Sequence, residues 1–202
     1  MINYKLTFIK TGKCAGSTIK QALEDHDINF DFFHIRVPKY NPVEKYLISL
    51  RNPVERFISA FYWRKHLVLD GDQKDRFAGE YDFFQKYATI EDLTQDGITV
   101  LKRQYVHHIE EDIHFYLGGL VNQFTPENVI GVVCVESLNE DMKRIFNIKI
   151  QTHLKNNSER KIPIKEEGWK ILKEYLYKDY LVIEKLNNSQ LLSKVQYKTL
   201  SK

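Results

Sequence analysis

Residues 5–23 join three signals in one stretch. The apolar run Lys5 to Lys10 (KLTFIK) ends in the polar, glycine-punctuated segment Thr11-Gly12-Lys13-Cys14-Ala15-Gly16-Ser17, after which Ile19, Ala22 and Leu23 recur at helical spacing. That order reads strand, tight loop, helix, with Ser17 or Thr18 placed to cap the first free amides. A short loop of this kind converges its backbone amides ahead of a helix N-terminus. Amide hydrogen bonds and the positive end of the helix dipole then suit it to phosphate or sulfate, and Lys13 adds a point charge. The expectation is an oxyanion cradle at the first strand-to-helix turn.

The rest of the chain repeats the alternation. Ile28 to Val37 (INFDFFHIRV) and Lys45 to Leu50 (KYLISL) are β-rich runs, and the second leads into Asn52 as a cap and Pro53 at a first helical position. In the helix from Pro53, Val54, Phe57, Ile58 and Phe61 form one stripe expected to face the core, while Arg56, Ser59 and Trp63 fall on the opposite side. Residues 66–128 give helices and loops without a clear pattern. Val129 to Val135 (VIGVVCV) suits a strand buried on both faces of a parallel sheet. Ser137 onward and Glu166 to Leu186 read as helices. The expected fold is α/β: a P-loop-like three-layer arrangement, a central, mostly parallel sheet flanked by helices, in a single domain over residues 1–202.

Composition narrows the function. The 202 residues are 43% hydrophobic and 28% charged, a globular mixture that excludes whole-chain disorder. A net charge of +3 is too small for bulk nucleic-acid or membrane binding, so any anion site must be local. No run approaches the roughly 18 consecutive apolar residues that cross a bilayer. Stable membrane insertion is therefore not expected. Two cysteines cannot make a disulfide framework, which points to a reducing, cytoplasmic setting.

In an open α/β sheet, ligands sit outside the carboxyl ends of the strands. Three such ends carry the cradle, His34, and Arg51 ahead of the helix that bears Ser59. The cradle departs from a Walker A loop: Gly12 and Gly16 are separated by three residues, and Ser17 stands where the lysine should be. Glu136 is the only carboxylate at the end of an apolar strand that could serve a magnesium ion. These departures favour a metal-free transfer over nucleoside-triphosphate hydrolysis. Arg51 supplies a planar charged fork and Ser59 a hydroxyl, together suited to a second phosphate.

The two blocks, Gly12 to Thr18 and Leu50 to Trp63, resemble those of sulfotransferases that use 3′-phosphoadenosine 5′-phosphosulfate (PAPS), in the branch of heparan-sulfate 2-O- and chondroitin-type carbohydrate enzymes. Gly12-Lys13-Cys14-Ala15-Gly16-Ser17-Thr18 is similar to the P-K-x-A-G-T-S loop for the 5′-phosphosulfate, with Gly12 in place of proline and Ser17-Thr18 inverted. Leu50 to Trp63 is similar to the R-[DN]-P-x-x-R-x-x-S-x-[FY] block, which implies Arg51 and Ser59 as 3′-phosphate ligands. Leu101 to Val106 is similar to a Q-x-R-x-L stretch, and Asn156 to Lys161 to an N-x-S-x-R-K loop closing over the nucleotide, implying Arg160 and Lys161 as further ligands. Tyr175 to Ile183 is similar to a terminal D-Y helix.

The resemblance implies PAPS as donor and a carbohydrate or other hydroxyl as acceptor. Lys13 and the loop amides would stabilise the developing charge, with His34 as base; other branches use a glutamate. Acceptor contacts would come from residues 66–125, and the oligomeric state stays open. His107, Glu111 and His114, at i, i+4 and i+7, could share a helical face and hold a metal, but so polar a segment reads as a solvated helix and no structural metal is expected. Cys14, in a positive environment, could be a thiolate. A P-loop nucleotide kinase using magnesium, and a non-catalytic nucleotide-binding protein of the same fold, are the alternatives.

Overall fold

The computed structural model describes residues 5–103, 106–150 and 164–202, without the side chains of residues 102 and 103. Strand β1 (Leu6–Lys10) leads into helix α1 (Gly16–Glu24), then β2 (Asp31–Phe33), β3 (Lys45–Leu50) and α2 (Pro53–Leu69). Short helices follow, α3 (Glu80–Lys86), α4 (Ile90–Gln95) and α5 (Ile113–Leu117), with 3-10 turns at Ile98–Arg103 and Val121–Gln123. The chain returns through β4 (Val129–Cys134) to α6 (Leu138–Phe146), α7 (Glu166–Tyr175), α8 (Tyr177–Asn188) and α9 (Lys194–Leu200).

The sheet is all-parallel, in the order β2-β1-β3-β4. Parallel pairing forces each connection to cross over a face, so helices cover both sides. Leu6, Phe8, Leu47 and Val133 point to the face packed by α1 and α6. Ile9, Tyr46, Ile48 and Cys134 point to the face packed by α5, α8 and α9. The result is a three-layer α/β fold. A further apolar cluster joins α2, α3, α4 and α7 around Phe57, Phe61, Phe84 and Leu93.

Three expectations about elements are corrected. The run Ile28 to Val37 yields only the three-residue edge strand β2, because Ile35 adopts a left-handed φ of 60° that a strand cannot continue through. Glu166 to Leu186 is two helices, broken at Leu176, which caps one and starts the next. Arg56 is not on an exposed side of α2 but fully buried, since α2 is covered nearly all round.

Candidate functional site

Strand order reverses between β1 and β3, which are neighbours with Lys10 opposite Ser49. The loop after β1 and the helix start after β3 therefore lie side by side, about one strand spacing, ~4.8 Å, apart at their origins. This is the switch point at which doubly wound sheets bind ligands.

The loop after β1 is a concave nest of amides. Lys13 (φ 65°) and Ala15 (φ 55°) are both left-handed, and the Cys14 N–H donates to the Thr11 carbonyl at 3.3 Å. Alternating left-handed residues turn successive N–H groups to one side, the geometry of an anion nest. Helix α1 begins at Gly16 with Ala15 as its N-cap and no side-chain cap. Ser17 and Thr18 therefore do not cap it. Ser17 Oγ instead accepts from Lys10 Nζ at 3.2 Å, and Thr18 is buried.

Lys13 Nζ lies 4.4 Å from the centre of the Trp63 ring, and among the described residues no acidic side chain forms an ion pair with it. Burial, then the nearby Arg51 charge, lowers its pKa to about 7. The Trp63 ring meets His108 edge-on at 4.6 Å, and His108 stacks on His34 at 5.5 Å. His34 is also held below its ordinary pKa, by burial and then by the Lys10 charge, so it is neutral near pH 7. A Cβ built on Gly12 would lie 3.3 Å from His108 Nδ1 and 3.7 Å from the Tyr116 hydroxyl, which places both side chains against the cradle. Tyr116 also accepts the Ile35 N–H at 3.3 Å.

Two independent features gather at this crevice. Seven non-glycine residues among those described have positive φ, and four of them, Lys13, Ala15, Ile35 and His108, line it; such strain collects where function requires it. Among the described residues, eight buried side-chain polar atoms have no hydrogen-bond partner, and four of them, Thr11 Oγ1, Ser49 Oγ, His34 Nδ1 and His108 Nδ1, lie at or beside the carboxyl ends of β1, β2 and β3. Buried polar atoms are normally satisfied, so these four leave unused hydrogen-bonding capacity at the strand ends.

Arg51 is partly buried, its Nη2 donating to Glu55 Oε2 at 3.2 Å, and Ser59 lies half-buried two turns along α2. Asn52 caps α2 by accepting the Glu55 N–H at 3.2 Å, and its own N–H donates to Glu136 Oε1 at 2.9 Å. Glu136 is thus engaged at a helix start. Gly12, Lys13, Cys14, Ala15, Gly16, His34 and Arg51 come together; Arg160 and Lys161, with the whole segment Asn156 to Lys161, fall outside the described residues, as do Gln104 and Tyr105.

Sequence reasoning missed Lys10, His108 and Tyr116 as site neighbours, and placed Trp63 on the right face without its lysine partner. Two further expectations are corrected. Cys14 is fully buried and burial pushes its thiol up to about 12, so it is no thiolate. Residues 107–111 form a buried turn rather than a solvated helix, and His114 is exposed on α5, away from His107 and Glu111. No protein-family model, curated protein or solved structure matches this chain.

Proposed function

We propose that this protein is a sulfotransferase moving a sulfuryl group from 3′-phosphoadenosine 5′-phosphosulfate to an acceptor hydroxyl, on a carbohydrate. The observation that carries the reading is the pairing, on adjacent strand ends, of a lysine-bearing amide nest with an arginine-led helix start. Two anion sites so placed suit one nucleotide with phosphates at both ends.

The donor supplies an activated sulfuryl group on a phosphate leaving group. The nest amides and Lys13 would receive the negative charge that grows on the leaving phosphate as the sulfur–oxygen bond breaks. Lys13 binds best protonated, and an incoming polyanion raises its pKa from about 7. His34, neutral at the rim of the same crevice, would take the acceptor proton as the acceptor oxygen bonds to sulfur. Arg51, with Ser59, would hold the 3′-phosphate. Arg56 has a different duty: its Nη1 donates to the carbonyls of His108 (3.0 Å) and Glu111 (3.2 Å) and its Nη2 to that of Ile109 (3.0 Å), which fixes the turn beneath the crevice.

Calorimetric titration with 3′-phosphoadenosine 5′-phosphate, beside ATP with magnesium, tests the reading. Tight binding of the bisphosphate and weak binding of ATP are expected. The reverse order would replace it with a kinase.

A further inference from the structure

The turn over residues 106–111 gathers His107 and Glu111, to which the proposed reaction gives no role, beside His108, which walls the cradle. The Val106 carbonyl accepts the N–H groups of Ile109 (3.1 Å) and Glu110 (3.2 Å), and His108 sits at φ 63°. That left-handed step swings two adjacent imidazoles to one side, with ring centres 4.2 Å apart. Glu111 closes the group. Its Oε1 lies 3.4 Å from His107 Nδ1, while its Oε2 accepts the His108 N–H.

We propose that His107, His108 and Glu111 form a binding site for one divalent transition-metal ion of the zinc class. The three ligand atoms lie within 4.8 Å of one another, and the residues are only 7%, 6% and 4% exposed. A separation of 3.4 Å is long for an N–H···O hydrogen bond, which falls at roughly 2.7–3.2 Å. It is also close to the edge of a tetrahedron whose bonds are roughly 2.1 Å, about 1.63 times the bond, so this pair can close on an ion with little movement. Two imidazoles and a carboxylate are the donors such an ion prefers, and the carboxylate halves its charge on binding.

The surroundings hold these ligands in place. Glu80 Oε1 accepts the His107 N–H at 2.7 Å, and the Phe77 ring packs on the His107 imidazole at 4.9 Å. Arg56 pins the carbonyls of His108 and Glu111 from below. Second contacts of this kind fix ligand orientation before a metal arrives. Among the described residues no side chain or backbone group hydrogen-bonds His108 Nδ1, so no protein partner holds that ring nitrogen away from an ion. A metal here would staple the turn that carries His108 against Gly12, setting the wall of the cradle.

The test uses the whole protein, stripped with a chelator and titrated with Zn²⁺ alone, with imidazole nitrogens followed by long-range ¹H–¹⁵N correlation. The chain has seven histidines, so the spectrum reports which of them bind. One equivalent of Zn²⁺ should shift the His107 and His108 resonances, and His107→Ala or Glu111→Gln should weaken binding at least tenfold. Shifts confined to histidines other than His107 and His108, or no bound equivalent at micromolar Zn²⁺, would overturn the site. The wild-type spectrum decides the matter even where a variant fails to fold.

Discussion

Lys13 is a cation kept in a place that does not favour cations. Burial and Arg51 hold it near pH 7 in the folded protein, against 10.5 in the unfolded chain, so between those values the unfolded state binds more protons. Stability from this group therefore rises with pH across the window from about 7 to 10.5, and Lys13→Met should flatten that slope in denaturant titrations run at several pH values. Bisphosphate binding should take up a proton above pH 7, read as a dependence of calorimetric heat on buffer ionisation enthalpy. With any acceptor found, Lys13→Met should lower turnover by about a hundredfold or more, and His34→Ala by a comparable factor, in a sulfate-transfer assay. Lys13 and His34 were legible because their place follows from sequence order: each sits just after a strand. His108 was not. Its closeness to Gly12 arises from a tertiary approach between segments nearly a hundred residues apart, and no local spacing encodes it.

At the scale of elements, strands β1, β3 and β4 were readable since a buried parallel strand leaves a continuous apolar run. Helix α2 was harder. Its apolar stripe was found, but Arg56 and Arg64 are also fully buried, so a polar residue off the stripe does not mark solvent here. Arg64 Nε donates to Glu80 Oε2 at 2.8 Å inside the cluster that joins α2 to α3. Arg64→Leu leaves that carboxylate buried without its cation and should cost about 3–5 kcal/mol in urea unfolding. Strand β4 meets α6 closely at Gly131, where a methyl group would overlap the Ile145 side chain. Gly131→Ala should therefore lower stability by about 1–3 kcal/mol in the same experiment.

Across the whole molecule, the crevice draws on loops after three strands and on the 106–116 segment, so a ligand there recognises the complete fold and no part of it. The bisphosphate at about a hundred times its dissociation constant should stabilise the native state by roughly 2.7 kcal/mol. For a chain of this size that is about 5–10 °C in Tm, measurable by thermal scanning. The strand pairing also sets an order of events. β3 finishes at Leu50, yet its neighbour β4 begins only at Val129, after most of the small helices have been made. A nascent chain emerging from the ribosome must therefore carry the bare edge of β3, with Leu47, Ile48 and Leu50 beside it, until the second half of synthesis, and its yield in cells depends on what shields that edge in the interval.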